Sequence, residues 1–413
     1  MFHTRSSSYE LIRHTGLSYF PLAFIARLPF AMMTVGVLTL VVAERGSMTL
    51  GGLNSAAAGI GTALAGPLLG AAVDRFGQRR VLLPVGLANA ALLGAFPFLV
   101  ASTAPDLAVL ALSVLIGVSA PQIAPMSRTR LVALVRRTVR GDRREQVLNG
   151  TMAYESAADE TVFIVGPFLV GLLATAFAPW LAIAGAAVIT LVFVTGFALH
   201  PTGRLTPTSA AATAARAPAR ELARVPLLTV VAGALGIGLF FGATLTSLTG
   251  FLATDGSGDQ AGLLYGVMGF GSAALALGSA TFPARFRLPA RWLVFGSLLL
   301  AAAVVFACAR SVPGMVVALA ILGCGIGPTL VAQYSLAATL SPAGRSATTM
   351  TMLGSAVVVG QAVSSAATGA VVDQLGASAA LALPAVTAAF VVAAGIAHAA
   401  SVRRVEPREL VPA

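Results

Sequence analysis

The chain has 413 residues, of which 57% are hydrophobic and 10% charged, and its mean hydropathy is +0.89. A soluble domain does not show this composition, so the sequence predicts a polytopic membrane protein. The net charge of +11 is spread over short gaps between apolar runs, as loop charge is, which argues against nucleic-acid binding.

The first half of the chain contains six apolar runs, each close to the roughly 20 residues that a membrane crossing needs. Residues 1–16 precede them and are expected to stay in the cytoplasm, since the run that follows is too long for the core of a signal peptide. The predicted spans are 17–43, 50–73, 81–101, 107–126, 147–177 and 180–199.

Residues 201–225 are rich in Ala, Thr, Pro and Arg and are predicted to be a cytoplasmic linker. Six more apolar runs follow, at 226–253, 261–282, 292–309, 313–340, 347–372 and 378–400, and then a tail at 401–413. We therefore predict an all-α integral membrane fold with twelve transmembrane helices in two six-helix bundles, 17–200 and 226–400.

Arginine is distributed in agreement with twelve spans and two cytoplasmic termini. All 26 basic residues are Arg, and in this topology only Arg45 and Arg310 lie in outer loops. Cytoplasmic loops collect basic residues, and a missed span would invert every later loop. We expect a bacterial cytoplasmic membrane protein.

Three carboxylates interrupt the apolar sequence of span 5: Glu155, Asp159 and Glu160. Ionisable groups at membrane depth are costly and usually functional. Asp159 lies about 18 Å along the helix from Val147, near the middle of the bilayer. We favour Asp159 for a functional role, since Glu155 is closer to the cytoplasmic end and can simply meet water. Glu160 is turned by about 100° and can pair with a neighbouring helix.

The two halves repeat each other loosely. GVSAPQIAPM from Gly117, followed by Thr-Met at Thr151, resembles GCGIGPTLVAQ from Gly323, followed by Thr-Met at Thr351. Many secondary transporters are built from such internal repeats, with the substrate site near the midplane between them. The span 5 carboxylates have no counterpart in the second half.

The loop between spans 2 and 3 reads GAAVDRFGQRRV from Gly70 and resembles the signature loop of the major facilitator superfamily. The matching residues are Gly70, Asp74, Arg75, Gly77, Arg79 and Arg80. The resemblance implies a twelve-helix secondary transporter in which the aspartate braces the first half against the start of span 11, near Ala347. The alternative is a merely solvated turn.

Gly166, Pro167 and Gly171 in span 5 resemble the Gly-Pro motif of proton-coupled exporters in this superfamily. The double glycine of that motif is missing and the spacing after Pro167 is shifted by one residue. The motif thus favours export over import only in part. The alternative is that it is a local kink, since proline removes a backbone donor whatever the protein does.

Arg27 is expected to be the only Arg buried within a span, at a depth similar to that of Asp159. The resemblance places spans 1, 4, 7 and 10 around a central cavity, with span 5 at the interface between halves. An Arg beside a carboxylate favours its ionised form. We therefore hypothesise proton coupling through Asp159 or Glu155 with Arg27, against the alternative of a permanent structural pair.

Gln122 and Gln333, in spans 4 and 10, are candidate substrate contacts in the cavity, although a buried Gln also bonds neighbouring helices. Arg128 and Arg130, at the predicted end of span 4, are expected to be interfacial, with the cavity mouth as the alternative position.

Other classes of protein are disfavoured. The four histidines, His3, His14, His200 and His398, lie at or beyond predicted span ends, which argues against an enzyme with metal or histidine chemistry. A chain without Lys has no phosphate loop of the GxxxxGK type, so ATP is not the energy source. Cys308 and Cys324 lie within spans and predict no disulfide. We expect no cofactor and no metal.

The sequence thus predicts a monomeric secondary transporter in the lipid bilayer, with a small-molecule substrate and protons as partners and no nucleic acid. Proton-coupled efflux of a drug or metabolite is the favoured function. The alternatives are a proton-symport uptake permease for a small polar solute and a membrane sensor that binds ligand without moving it. The substrate is not readable from the sequence.

Overall fold

A computed structural model describes residues 15–139, 143–205, 216–254, 261–283 and 285–405. Over these residues all regular structure is helical, and twelve helices are long and apolar enough to cross a membrane. This confirms the predicted fold class. Spans 1 to 12 run over Tyr19–Arg45, Leu50–Phe76, Gln78–Ala101, Asp106–Thr138, Arg144–Ala176, Pro179–Leu199, Val225–Leu252, Leu264–Thr281, Leu288–Cys308, Val312–Leu340, Ser346–Leu375 and Ala377–Val402.

Spans 1 and 4 are each made of two helices. Span 1 consists of Tyr19–Ile25 and Leu28–Arg45, and Pro29, near the start of the second helix, removes a backbone donor there. Span 4 consists of Asp106–Val118 and Ile123–Thr138. It ends twelve residues beyond the predicted boundary at 126, since Arg128 and Arg130 are buried inside the protein and do not end the helix.

The chain forms two compact units that do not follow chain order throughout. The first unit comprises Met1–Val147, Thr161–Arg216 and Ala343–Ser355, and the second comprises Leu148–Glu160, Ala217–Pro342 and Ala356–Ala413. A segment of span 5 therefore belongs to the second unit, and a segment of span 11 belongs to the first. The division of the chain into bundles 17–200 and 226–400 stays a prediction.

The first unit has an apolar core in which span 1 packs against spans 2, 3 and 6. Leu40, Phe96 and Ile183 are fully buried there. Gly36 allows the contact with span 6, because a Cβ atom at this position would lie 2.8 Å from Ile183 Cδ1. Small residues of this kind permit close approach of helices in membranes.

The second unit is held together in the same way. Span 7 packs against span 12, span 9 against spans 10 and 12, and span 8 against span 10. A Cβ atom at Gly323 in span 10 would lie 2.9 Å from the backbone nitrogen of Ser272 in span 8. Backbone contact at a glycine thus sets the separation of these two spans.

Candidate functional site

Asp74, in the last turn of span 2, binds the first turn of span 11 within the first unit. Asp74 Oδ1 accepts a hydrogen bond from the backbone N–H of Ala347 at 3.0 Å. Asp74 Oδ2 accepts from the backbone N–H and the hydroxyl of Thr348, at 2.8 and 2.6 Å. The carboxylate thus caps the positive start of a helix. We call Asp74, Ala347 and Thr348 the Asp74 clasp.

The clasp lies where the superfamily resemblance predicts it, because Asp74 and Ala347 are direct hydrogen-bond partners. The resemblance also assigns this contact a part in gating. That role stays a prediction.

Gly66 and Gly70 precede Asp74 at intervals of four residues and lie on the same face of span 2. A Cβ atom at Gly70 would lie 2.8 Å from Thr348 Cα and would also overlap Thr351 Oγ1. A Cβ atom at Gly66 would overlap Ser355 Oγ. Only glycine therefore permits the approach of spans 2 and 11 that the clasp requires.

The other residues of the signature loop do not join the clasp. Gly77 has a φ angle of +85° and its N–H donates to Val73 at 2.8 Å, which makes the tight turn into span 3. Arg75, Arg79 and Arg80 are exposed. The guanidinium carbon of Arg75 lies 5.2 Å from the centre of the Phe76 ring.

Arg216, in the linker, contacts the clasp from outside the two helices. Its Nη2 donates a hydrogen bond to the backbone carbonyl of Asp74. Its side chain packs against Gly344, in the turn before span 11, since a Cβ atom at Gly344 would lie 3.3 Å from Arg216 Cγ. No feature of the linker sequence distinguishes Arg216 from its other arginines, so this contact was not predicted.

Arg130, in the second helix of span 4, is only 1% exposed. Its expected position at the membrane interface stays a prediction. Its Nε donates to Gln78 Oε1 at 2.5 Å, and its Nη1 donates to the Phe197 carbonyl at 2.8 Å and to Thr202 Oγ1 at 3.2 Å. The guanidinium carbon also lies 3.7 Å above the centre of the Phe197 ring. Burial and the nearby Arg130 charge lower the pKa of His200 below its usual value.

Arg27 is not the only Arg buried within a span, so the prediction that it is the only one is wrong. Arg27, Arg128 and Arg291 are all buried, as Arg130 is. Arg291 donates to three backbone carbonyls, those of Phe286, Phe282 and Pro283. Buried acceptors of this kind offset the cost of burying a guanidinium, and hydropathy does not reveal them.

The three predicted coupling carboxylates lie on one continuous helix, Arg143–Ala176, in the segment that belongs to the second unit. Glu155 is fully buried, at 0% exposure, which contradicts the expectation that it meets water. Asp159 and Glu160 are half-buried. The expectation that Glu160 pairs with a neighbouring helix stays a prediction.

Asn149, six residues before Glu155 on the same helix, was not predicted as a site residue. Its Nδ2 donates a hydrogen bond to the backbone carbonyl of Ser279, at the end of span 8, at 3.0 Å. The repeat contained a signal for it: with Thr151 aligned to Thr351, Asn149 takes the position of Thr349, beside the clasp. The second unit thus joins spans 5 and 8 through an amide where the first unit uses a carboxylate between spans 2 and 11.

The three predicted cavity residues are all buried. Arg27 lies between the two helices of span 1, in the first unit. Gln122, at 7% exposure, lies at the start of the second helix of span 4. Gln333, at 0% exposure, faces Gly233 of span 7, where a Cβ atom would lie 2.8 Å from Gln333 Nε2. Their contact with substrate stays a prediction, as does the pairing of Arg27 with a carboxylate.

The antiporter-like motif of span 5 has separate structural roles. Gly166 packs against span 1, since a Cβ atom there would lie 2.6 Å from Ala31 Cβ. Pro167 lies inside the continuous helix Arg143–Ala176. Gly171 has no atom within 4 Å of the position that a Cβ atom would take.

His398 is fully buried and lies four residues before the end of span 12. Its Nδ1 lies 3.0 Å from Thr229 Oγ1 and 3.1 Å from the Pro226 carbonyl oxygen. Among the described residues, no group of three or more His, Cys, Asp and Glu side chains is arranged to hold a metal ion. His3 and His14 lie outside the described residues.

Comparison with known proteins gives a family and several fold neighbours. Residues 19–285 match the family model of the Major Facilitator Superfamily. No curated protein matches the chain. The human organic anion transporter MFSD10 (TETRAN) has a TM-score of 0.67 and 18% identity, with 94% of this chain and 99% of that chain covered.

A bacterial homologue of the iron transporter ferroportin, in its outward-facing state, has a TM-score of 0.71 and 15% identity, with 96% of this chain and 99% of that chain covered. The same homologue with soaked iron gives a TM-score of 0.69 and 15% identity, with 96% and 98% covered. At these identities the neighbours show the fold alone.

Proposed function

Because the chain belongs to the Major Facilitator Superfamily, we propose that it exports a small molecule across a bacterial cytoplasmic membrane by proton-coupled alternating access. Secondary transport itself follows from the family and from a fold shared with transporters, and both favour a transporter over an enzyme. One observation carries the proposal of coupling: Glu155 is fully buried at membrane depth, within five residues of Asp159 and Glu160.

The coupling step uses the cost of a buried charge. A carboxylate that is desolvated and without a cation favours its protonated form, and one beside a guanidinium favours its ionised form. Asp159, or Glu155, takes a proton on the side where it is exposed and gives it up when Arg27 or substrate approaches. One charge crossing a potential of 100 mV supplies about 2.3 kcal/mol before any pH difference is counted.

Gating is assigned to the signature loop. With the termini in the cytoplasm, as the arginine distribution favours, the Asp74 clasp lies on the cytoplasmic side and holds that side closed. Opening breaks the bonds to Ala347 and Thr348 and parts the contact at Gly70, while Gly77 keeps the turn into span 3. The exposed Arg75, Arg79 and Arg80 face the anionic leaflet or water.

For the substrate we propose only a class of compound: a small molecule that contacts Arg27, Gln122 and Gln333. The fold neighbours do not narrow it, since one is described as an organic anion transporter and the other as a homologue of an iron transporter. Export is favoured by Gly166, Pro167 and Gly171, which resemble the motif of proton-coupled exporters.

Proton-symport uptake is the second candidate, because the same carboxylates can couple a proton to import and the exporter motif lacks its double glycine. A sensor that binds ligand without flux is the candidate from another class. The experiment below separates all three.

The test reconstitutes the full chain in liposomes with an internal pH-sensitive dye and screens compounds for compound-dependent proton movement. Glu155→Gln, Asp159→Asn and Glu160→Gln are compared with Asp373→Asn, an exposed carboxylate at the far end of span 11. We expect Asp159→Asn or Glu155→Gln to lower the coupled flux by about tenfold or more, since a buried amide cannot carry a proton. Asp373→Asn should transport normally.

Each outcome has one meaning. Proton and compound fluxes in opposite directions support export by exchange, and fluxes in the same direction support uptake. Full flux in all three span 5 variants contradicts the coupling role of these carboxylates. Ligand binding with no flux of any compound identifies a sensor.

A further inference from the structure

Arg216 is where the linker meets the first unit, and two elements converge on its side chain. Its guanidinium reaches the end of span 2, where Nη2 bonds the Asp74 carbonyl, and its aliphatic part lies on Gly344, two residues before span 11 begins. Arg216 is half-buried. The linker therefore touches both partners of the Asp74 clasp at once.

The bond to the Asp74 carbonyl satisfies a group that the helix cannot satisfy itself. The last four carbonyls of a helix lack a partner within it, and span 2 ends at Phe76. Gly77 N–H takes the carbonyl of Val73, which leaves the Asp74 carbonyl for Arg216. A cation at this position also suits the negative end of the helix.

Asp74 is thus the centre of two caps of opposite sign. Its carboxylate caps the positive start of span 11, through Ala347 and Thr348. Its carbonyl is capped by Arg216. Arg216 therefore fixes the last turn of span 2 at the residue whose carboxylate accepts from the two backbone donors of span 11.

Gly344 makes this arrangement possible. Its φ angle of +68° is a conformation that residues with a side chain rarely adopt, and it turns the chain into span 11. A side chain here would press against Arg216, whose Cβ and Cγ would lie 3.4 and 3.3 Å from the new Cβ atom. The turn leaves the space that the linker occupies.

We propose that Arg216 is a positioning residue for the Asp74 clasp, so that the linker must be docked on span 2 for the clasp to hold. The proposal extends the proposed function, since it rests on the clasp being the gate. In the transport cycle Arg216 then leaves the Asp74 carbonyl when the clasp opens. The guanidinium acts through Asp74 and does not touch the substrate.

The test reads the two amides that Asp74 binds. Hydrogen–deuterium exchange of the full chain in lipid nanodiscs is followed in peptides that cover the start of span 11, and no substrate is needed. First-turn amides have no partner within their helix, so protection of Ala347 and Thr348 reports the clasp directly. The variants are Arg216→Gln, Asp74→Asn and the double variant.

We expect Arg216→Gln to speed exchange at these amides by about tenfold, the effect of losing one hydrogen bond to a charged group. Arg220→Gln is the matched control, since Arg220 lies four residues further along the linker and is exposed. It should exchange like the wild type. Arg216→Lys keeps the charge and should recover part of the protection.

Non-additivity separates positioning from a general loss of structure. If Arg216 acts through Asp74, the double variant exchanges no faster than Asp74→Asn alone. The proposal would be overturned if Arg216→Gln exchanged these amides at the wild-type rate. It would also be overturned if the effects of the two single variants added in the double variant. Faster exchange that extends to the start of span 7 would do the same, because it would indicate unfolding. The liposome flux of the wild type tests the proposed function separately.

Discussion

Arg130 shows how the first unit holds a permanent positive charge away from solvent. The guanidinium has an acceptor on each of three elements, Gln78, Phe197 and Thr202, and an aromatic face beneath it. A planar group with several donors suits such a site better than an ammonium group does. The arrangement ties the start of span 3, the middle of span 4 and the end of span 6 together.

We predict that Arg130→Ala lowers the free energy of unfolding by about 2–4 kcal/mol, because it leaves buried acceptors without a donor and opens a cavity. The thermal midpoint in detergent should fall by several degrees. Arg204→Ala is the control, since Arg204 is exposed in the short helix after span 6 and should leave the midpoint unchanged. An Arg130→Ala midpoint equal to that of the wild type would show that the network adds no stability.

Contacts between individual residues could be predicted where a sequence motif indicated them. The other contacts could not be predicted. Asp74 beside Ala347 followed from the signature loop, although the two are 273 residues apart. The burial of Arg130 did not follow, because its partners Gln78 and Phe197 are 52 and 67 residues away and no local pattern announces them. The contact of Arg216 could not be predicted, because nothing in the linker sequence distinguishes it from the other arginines there.

Spans 2 and 11 meet at the level of the backbone. Gly66 and Gly70 present bare Cα atoms to Thr348, Thr351 and Ser355. Backbones can come this close only where small residues face the partner helix.

We predict that Gly70→Ala separates the two spans, since the added methyl group would overlap the backbone of Thr348. The probe is a Ser355→Cys substitution in a background in which Cys308 and Cys324 are replaced. Ser355 is 9% exposed. Its labelling by a maleimide should become about tenfold faster when the spans separate. Gly59→Ala is the matched control in the same helix, with no atom within 4 Å of the added Cβ, and should label like the parent. Equal labelling of both variants would contradict the role given to Gly70.

The number of spans was predicted correctly from hydropathy, whereas two features of the elements were not. Span 4 was ended before its arginines, because a hydropathy pattern treats every charge as a boundary. The interruption of span 1 was missed, although Pro29 marks it in the sequence. Helix ends in membranes depend on buried acceptors, which only the folded structure supplies.

At the scale of the whole molecule, chain order and packing divide the protein differently. The linker and the repeat predict a division at 201–225, whereas packing assigns Leu148–Glu160 and Ala343–Ser355 to units of the other half. Hydropathy cannot predict this exchange, since both segments read as ordinary parts of a span. The carboxylates of span 5 lie in one exchanged segment, and the partners of Asp74 lie in the other.

Orientation gives a prediction for the molecule as a whole. The arginine distribution places the loop between spans 9 and 10 outside, and Cys308, at the end of span 9, is a free and exposed thiol. A membrane-impermeant maleimide should therefore label Cys308 in right-side-out vesicles. The Cys324→Ser variant should be labelled like the wild type, and the Cys308→Ser variant should not be labelled. Labelling of Cys308 only in inverted vesicles would reverse the proposed topology.

The contact between spans 2 and 11 is built from groups with almost no rotamers to lose. Glycine has no side chain to order, and the short side chains of Ser and Thr lose little conformational entropy on packing. Long side chains lose considerably more. Packing Gly66 and Gly70 against span 11 thus orders few side-chain torsions on either side. Such a surface can part and rejoin many times along the same path, with little hysteresis between the two directions.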